Sequence, residues 1–235
     1  MKKRTVIAGI LALAGIICAG VAGYQYYQDR HAGKEYEDLK EKVVKEKQEE
    51  EPEEEEKTPL DIPIDFEQLQ SMNPEIYAWI RIPGSVIDYP IVQSDTDNAY
   101  YLTHDAENKD NAAGAIFTED YNTKTFEDPN TVIYGHGMTN GTMFNGLHQY
   151  MDRSYFDENR DIIIYMPDKI LNYKIFAAYL YDNRHLMQSI NFNNKEIFQA
   201  YLDNVGYAGS SRYVDERDGR RQDHHAVHLL WGDER

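Results

Sequence analysis

Cysteine is nearly absent from this chain of 235 residues, which contains only Cys18. A single thiol excludes a disulfide framework and a cysteine-rich metal site. Positive charge is also scarce, because 24 Lys and Arg stand against 41 Asp and Glu and give a formal net charge of −17. Such a chain lacks the basic surface with which proteins displace counterions from nucleic-acid phosphates. It also has no glycine-rich phosphate loop, so we predict no nucleic-acid partner and no cofactor.

Charged side chains are missing altogether from residues 5–23, a run of 19 residues. A helix needs about 20 apolar residues to cross ~30 Å of hydrocarbon, so this run predicts a transmembrane anchor. Three basic residues precede it, and basic residues stay on the cytoplasmic side. We therefore expect a cytoplasmic tip at residues 1–4 and a single-pass protein of the cell membrane with its C-terminal domain outside. A cleaved signal peptide is the alternative, because Ala19 and Ala22 are small.

Apolar residues are few in residues 24–58, which hold 13 acidic and 7 basic residues. Lys40 to Glu49 could form a charged helix through i,i+4 pairs. The glutamate-rich end that follows repels itself and is expected to stay extended. We interpret the segment as an acidic stalk that leads to a domain at residues 59–235, a length sufficient for one hydrophobic core.

Short apolar runs separated by Gly, Pro, Asn and Asp predict that this domain is mainly β. The predicted strands are Ala78–Ile82, Asp88–Gln93, Gly114–Phe117, Asn130–Tyr134, Asp161–Tyr165 and Leu171–Tyr179. Apolar residues at helical spacing predict helices at Asp65–Met72, Gly141–Met151 and Asn194–Asn204. This pattern indicates a barrel or a sandwich with helical insertions.

Four segments of the domain carry a specific resemblance when they are taken in order. They are Trp79-Ile-Arg-Ile-Pro-Gly-Ser-Val-Ile-Asp-Tyr-Pro-Ile-Val-Gln, Asp97-Asn-Ala-Tyr-Tyr-Leu, Gly114-Ala-Ile-Phe and Asn130-Thr-Val-Ile-Tyr-Gly-His-Gly-Met-Thr-Asn-Gly-Thr-Met-Phe. Together they resemble the class B sortases, a family of cysteine transpeptidases. The resemblance implies a closed eight-stranded β-barrel with N-terminal helices and helical insertions. It also implies an activity, in which a sorting signal of the Asn-Pro-x-Thr type is cleaved and the secreted protein is attached to the cell wall.

The same resemblance implies two partners, the sorting-signal peptide and the amine of a peptidoglycan precursor, and three catalytic side chains. A cysteine thiolate attacks the peptide carbonyl, a histidine protonates the leaving amine, and an arginine stabilises the oxyanion or positions the peptide. The histidine corresponds to His136, which stands in Tyr134-Gly-His-Gly-Met directly after an apolar strand. Because imidazole titrates near neutral pH, we predict His136 as the catalytic acid and base. Without the flanking motif, it would be interpreted as a surface or capping residue.

The cysteine and the arginine are missing where the resemblance would place them. Instead of a Thr-Leu-x-Thr-Cys strand, residues 214–235 form an aberrant tail, so the last strands are expected to be incomplete. Cys18 lies in the predicted anchor and cannot substitute, and neither Arg212 nor Arg235 stands in a matching motif. Two hypotheses stay open. The chain is a sortase with a damaged or frameshifted C-terminus, or it is a catalytically dead, membrane-tethered barrel that binds sorting-signal peptides.

A shifted reading frame would restore the missing motif. When Asp223 to Trp231 is written as degenerate codons and translated from the second base, the triplets allow Thr-Leu-Ser-Thr-Cys. The cysteine codon would straddle Leu229 and Leu230. We therefore predict a frameshift just after Tyr213.

The remaining histidines do not predict a second site. His104 and His148 lack a comparable motif and are predicted as surface residues. In the tail, His224 and His228 would share one face of a helix, with His225 beside them, a spacing that suits zinc. Because the tail is strongly charged and a glycine at position 219 disfavours a helix, we predict no metal site.

Overall fold

The computed structural model describes residues 2–44, 61–179, 185–210 and 224–230. Seven strands in these residues form one sheet. They are β1 Ile76–Arg81, β2 Asp88–Val92, β3 Ile116–Phe117, β4 Asn130–His136, β5 Asp161–Tyr165, β6 Ile170–Lys174 and β7 His224–Leu230. Their order is β6-β5-β1-β2-β3-β4-β7, and every neighbouring pair is antiparallel except β2 and β3. The predicted mainly β fold is confirmed, as a seven-stranded curled half-barrel.

In the described part of the chain, five α-helices and two 3-10 helices accompany the sheet. They are α1 Lys2–Val43, α2 Phe66–Met72, α3 Arg153–Glu158, α4 Leu186–Ser189 and α5 Lys195–Ser210, with 3-10 turns at Tyr100–Leu102 and Phe144–Met151. The Asp65 side chain accepts a hydrogen bond from the backbone N–H of Gln68 and so caps α2. All three predicted helices are therefore present, and the second is a 3-10 helix.

The main core lies beneath β1, where five successive residues are buried. Trp79 is 1% exposed, and its indole N–H donates to Asp88 at 2.6 Å. A smaller apolar cluster lies against β4. It consists of Val132, Leu186, Phe192, Tyr201 and Val205. The helices α4 and α5 therefore pack on β4, the strand that ends at His136.

Helix α1 runs without a break from Lys2 to Val43, so the uncharged run 5–23 and the charged residues after it belong to one element. Within the part of the chain that the structure describes, no helix combines the length and the apolar character that a bilayer span requires. The predicted single-pass location in the cell membrane is therefore wrong. The anchor limits 5–23 and the membrane partner were predicted on the same ground and are not supported.

The C-terminal end of α1 packs on the domain. Tyr36, Leu39 and Val43 are buried in the main core, although they lie in the segment that was expected to be a solvated stalk. Their spacing of three and four residues places them on one face of the helix. The glutamate-rich residues 45–60 lie outside the described residues, and the limits of the predicted domains stay predictions.

Candidate active site around His136

His136 is the last residue of β4, and close packing fixes the strand just before it. Gly135 has no room for a side chain, because a Cβ there would collide with Ile116 and would lie 3.0 Å from Cδ2 of Phe144. Both neighbours are fully buried. A glycine is therefore required at this position for β4 to lie against β3 and the 3-10 helix Phe144–Met151.

The His136 ring is hydrogen-bonded to the backbone of one loop and lies close to the backbone of another. Its Nε2 lies 2.8 Å from the carbonyl oxygen of Leu102. A carbonyl can only accept, so Nε2 carries the proton and donates it.

Gly114 forms the second contact with the ring. A Cβ on Gly114 would lie 3.1 Å from Cδ2 of His136 and 2.5 Å from the carbonyl oxygen of Tyr101. Gly114 also has a φ of +57°, which other residues adopt only at a cost. Glycine at this position therefore lets the loop before β3 approach the imidazole closely.

The chain turns sharply after His136. Gly137 pairs with Met143 in an isolated antiparallel bridge, and Gly141 and Met143 both have positive φ, at +88° and +55°. The backbone N–H of Met143 donates to the hydroxyl of Tyr89 at 2.9 Å. Met138 and Met143 are buried, so this loop closes one side of the site as a packed structure.

Tyr134 precedes His136 by two residues and forms part of an aromatic and acidic group. Its ring stacks on Phe117 at 5.5 Å between centroids. Burial, followed by the nearby charge of Glu119, raises the pKa of Tyr134 well above its usual value, so the hydroxyl stays neutral. The Glu119 carboxylate also forms a hydrogen bond with Nε2 of His185 at 2.6 Å, which connects the end of β3 to the start of α4.

A cleft of about 510 Å³ lies near the opposite end of β4, between the β3–β4 connection and the helices α4 and α5. Its lining includes Tyr121, Asn130, Met187, Ile190, Phe192 and Ile197. Asn130 is six residues from His136 along β4, about 20 Å at 3.4 Å per residue. The strand therefore connects an open cleft with the imidazole.

The structure does not bring a thiol to His136. Cys18 is the only cysteine of the chain, and it is exposed on α1. It lies 18 residues before Tyr36, the α1 residue that contacts the loop at Gly114, which corresponds to about 27 Å of helix. Arg212 and Arg235 lie outside the described residues.

The tail residues form a strand. Strand β7 pairs with β4 so that His136 is opposite His224, while Leu229 is opposite Thr131. The helix considered for His224 and His228 is therefore wrong, because the open edge of β4 pairs with this segment as a strand. Among the described residues, no group of metal-ligating side chains is found.

The other two histidines of the sequence analysis differ in burial. His148 is exposed, as predicted. His104 is partly buried: its ring stacks on Tyr100 at 3.9 Å, and its Nε2 lies 3.2 Å from Asp110. Its role is structural, in the loop that also contains Leu102.

The comparisons with known proteins agree with this geometry. Residues 80–202, just over half of the chain, match the model of the sortase domain. The chain is 32% identical over 160 residues to sortase B of Listeria monocytogenes, covering 64% of this chain and 65% of that protein. It is 29% identical over 206 residues to sortase B of Staphylococcus aureus, covering 86% of this chain and 80% of the relative.

A solved structure shows the same fold. The X-ray structure of a mutant form of Clostridium perfringens sortase B superimposes with a TM-score of 0.57 at 31% identity, over 66% of this chain and 71% of the other. This chain spans only about two thirds of the length of the Listeria relative. The family match includes β4 and the loops around His136, and we conclude that this chain belongs to the sortase family, in its class B.

Proposed function

We propose that this domain is built for transpeptidation of a sorting-signal peptide and that the chain as written lacks the nucleophile for it. The observation that carries the proposal is His136. Its ring, at the end of β4, is hydrogen-bonded to the Leu102 carbonyl and lies close to Gly114, in a domain of the sortase family. The hydrogen bond to a backbone carbonyl fixes the tautomer and the orientation of the ring, as proton transfer requires.

In the complete reaction, a thiolate adds to the carbonyl carbon of the scissile peptide bond. The carbon–nitrogen bond then breaks, and His136 gives its proton to the leaving amine. An amine of the cell-wall precursor next attacks the thioester, loses a proton to His136 and releases the thiolate. The reaction attaches the peptide to the wall. The chain as written contains His136, but its only thiol is about 27 Å along α1 from Tyr36.

The length of β4 supports a peptide substrate. An extended peptide that lies between the cleft at Asn130 and His136 would cover about 20 Å, or six residues. That length suits a short sorting motif with its flanking residues. Apolar side chains such as Phe192 and Ile197 at the cleft would accept an apolar residue of the signal.

The frameshift hypothesis has a structural consequence. In the register observed, Leu229 is opposite Thr131, five residues and about 17 Å from His136. A cysteine at 229–230 in this pairing would be too far from the imidazole to act with it. A frame-restored strand must therefore pair with β4 in another register or direction.

A fluorogenic Asn-Pro-x-Thr peptide tests the proposal. We expect no turnover by the chain as written and turnover by a frame-restored chain. In the restored chain, His136→Ala should reduce the rate at least 100-fold, whereas His148→Ala, which removes an exposed histidine, should leave it unchanged. Turnover by the chain as written that resists thiol alkylation would refute the proposal.

The second candidate function is a peptide-binding domain without catalysis. It is favoured by the exposed position of the single cysteine on α1. Isothermal titration of the same peptide into the chain as written distinguishes the two, once the gene has been resequenced. Binding together with an intact reading frame through codon 235 supports the binding domain and excludes the frameshift.

A further inference from the structure

Helix α1 contacts the loop next to His136 through one buried tyrosine. The hydroxyl of Tyr36 donates to the carbonyl oxygen of Gly114 at 2.7 Å and accepts from the backbone N–H of Ala106 at 3.3 Å. The two bonds connect Tyr36 with residues that lie 70 and 78 positions further along the sequence. Burial raises the pKa of Tyr36 well above its usual value, so the hydroxyl keeps the proton that it donates.

The carbonyl that Tyr36 holds belongs to the residue that lies against the imidazole. A Cβ on Gly114 would be 3.1 Å from Cδ2 of His136, so the backbone of Gly114 and the ring are neighbours with no space for a side chain between them. The N–H of the next residue, Ala115, donates to the carbonyl oxygen of Tyr101 in the 3-10 helix Tyr100–Leu102. The carbonyl oxygen of Leu102, the next one in that helix, accepts from His136. A shift of Gly114 would therefore displace the imidazole.

The loop on the other side of His136 is connected to the same tyrosine. The ring of Tyr36 lies edge-on to the ring of Tyr89, with centroids 5.4 Å apart and an interplanar angle of 87°. Such a contact contributes beyond simple burial. Tyr89 in turn accepts from the N–H of Met143, which closes the turn after His136.

We propose that Tyr36 is a positioning residue for His136, and that α1 thereby fixes the orientation of the imidazole through Gly114 and Tyr89. This inference rests on the proposed role of His136 as the acid and base. It gives the end of α1 a function besides covering the core. Removal of the Tyr36 hydroxyl should change the environment of His136 while the fold persists.

Tyr36→Phe in the full chain tests the inference, because it removes both hydrogen bonds and keeps the ring. Tyr155→Phe is the matched control, since the Tyr155 hydroxyl also donates to a glycine carbonyl, that of Gly84 at 2.9 Å, but away from the site. The His136 ring signals are identified in ¹³C-resolved NMR spectra by their loss in His136→Gln. We expect Tyr36→Phe to shift them and Tyr155→Phe to leave them in place.

A chemical measurement shows how much the accessibility of His136 changes. The rate at which diethylpyrocarbonate modifies His136, followed by mass spectrometry, should rise about 3- to 10-fold in Tyr36→Phe, as expected for the loss of one to two buried hydrogen bonds. Unchanged signals and an unchanged rate would overturn the inference, and so would equal effects in Tyr155→Phe. Neither readout requires turnover, so this inference can fail while the proposed function stands.

If Tyr36→Phe does not fold, a second variant can still test the inference. Tyr89→Phe removes only the acceptor for the Met143 N–H. It should shift both the Met143 amide signal and the His136 ring signals. A shift of Met143 alone would show that the two tyrosines do not act together on the imidazole, which would contradict the inference.

Discussion

Gly135→Ala provides the sharpest test of how the structure positions His136. The new methyl group would collide with Ile116 and would lie 3.0 Å and 3.2 Å from two ring carbons of Phe144. Ile116 and Phe144 are 0% exposed, so neither can move toward solvent. Overpacking of this kind destabilises a fold by about 1–3 kcal/mol. The loss of glycine flexibility in the unfolded chain offsets about 0.4–1 kcal/mol of that. With the middle of each range, a net loss of about 1.3 kcal/mol is expected.

A double-mutant cycle identifies the cause. Ile116→Val removes the methyl group that the alanine would strike, and alone it should cost about 0.5–1.5 kcal/mol. In the Ile116→Val background, Gly135→Ala should cost at least 0.5 kcal/mol less than in the parent, because the residues are in contact. Urea unfolding of the four proteins measures this difference. Additive costs, or a Gly135→Ala protein as stable as the parent, would refute the packing argument.

Two further predictions concern polar contacts. The Asp88 carboxylate accepts hydrogen bonds from Trp79 and Arg81 and lies 3.2 Å from the Lys40 ammonium. Asp88→Asn should therefore reduce the free energy of unfolding in urea by about 1–3 kcal/mol, and by less at high salt. An unchanged urea midpoint would contradict this. Burial raises the pKa of Tyr89 to about 12 from its usual 10, so its contribution to stability is complete below pH 10 and is lost as the pH rises through 12. In Tyr89→Phe, the urea midpoint should fall less between pH 10 and 12 than it does in the parent protein. An equally steep fall would show that Tyr89 is not the group responsible.

Much of the sheet could be predicted because its strands are short apolar runs between turn residues. The runs at Asp88, Asn130 and Asp161 all form strands within two residues of their predicted limits. His136 stands at a strand end as its motif predicted. Its catalytic role stays a prediction.

The contacts that hold His136 could not be predicted in the same way. Leu102 and Gly114 act through backbone groups, which leave no side-chain pattern in a sequence. Tyr36 lies in a segment whose charge predicted a solvated stalk, yet a few apolar residues at helical spacing suffice to pack one face of α1 on the domain. Such long-range contacts are determined by the fold as a whole.

The predicted cell-membrane location was wrong for a related reason. An uncharged run predicts a span by itself, whereas the fold continues it as one helix into charged residues up to Val43, and no helix among the described residues has the length and apolar character of a span. In the C-terminal tail, a segment that was not predicted as an element forms one. Its residues 224–230 pair along the whole of β4, because an open strand edge offers unpaired backbone groups to any segment able to extend.

The most direct test of the central claim is the cleavage rate of a fluorogenic Asn-Pro-x-Thr peptide. The rate is measured for three proteins: the chain as written, the frame-restored chain, and the frame-restored chain with His136→Ala. The account predicts turnover only in the frame-restored chain that retains His136. Cleavage by the chain as written, or undiminished cleavage after His136→Ala in the restored chain, would contradict it.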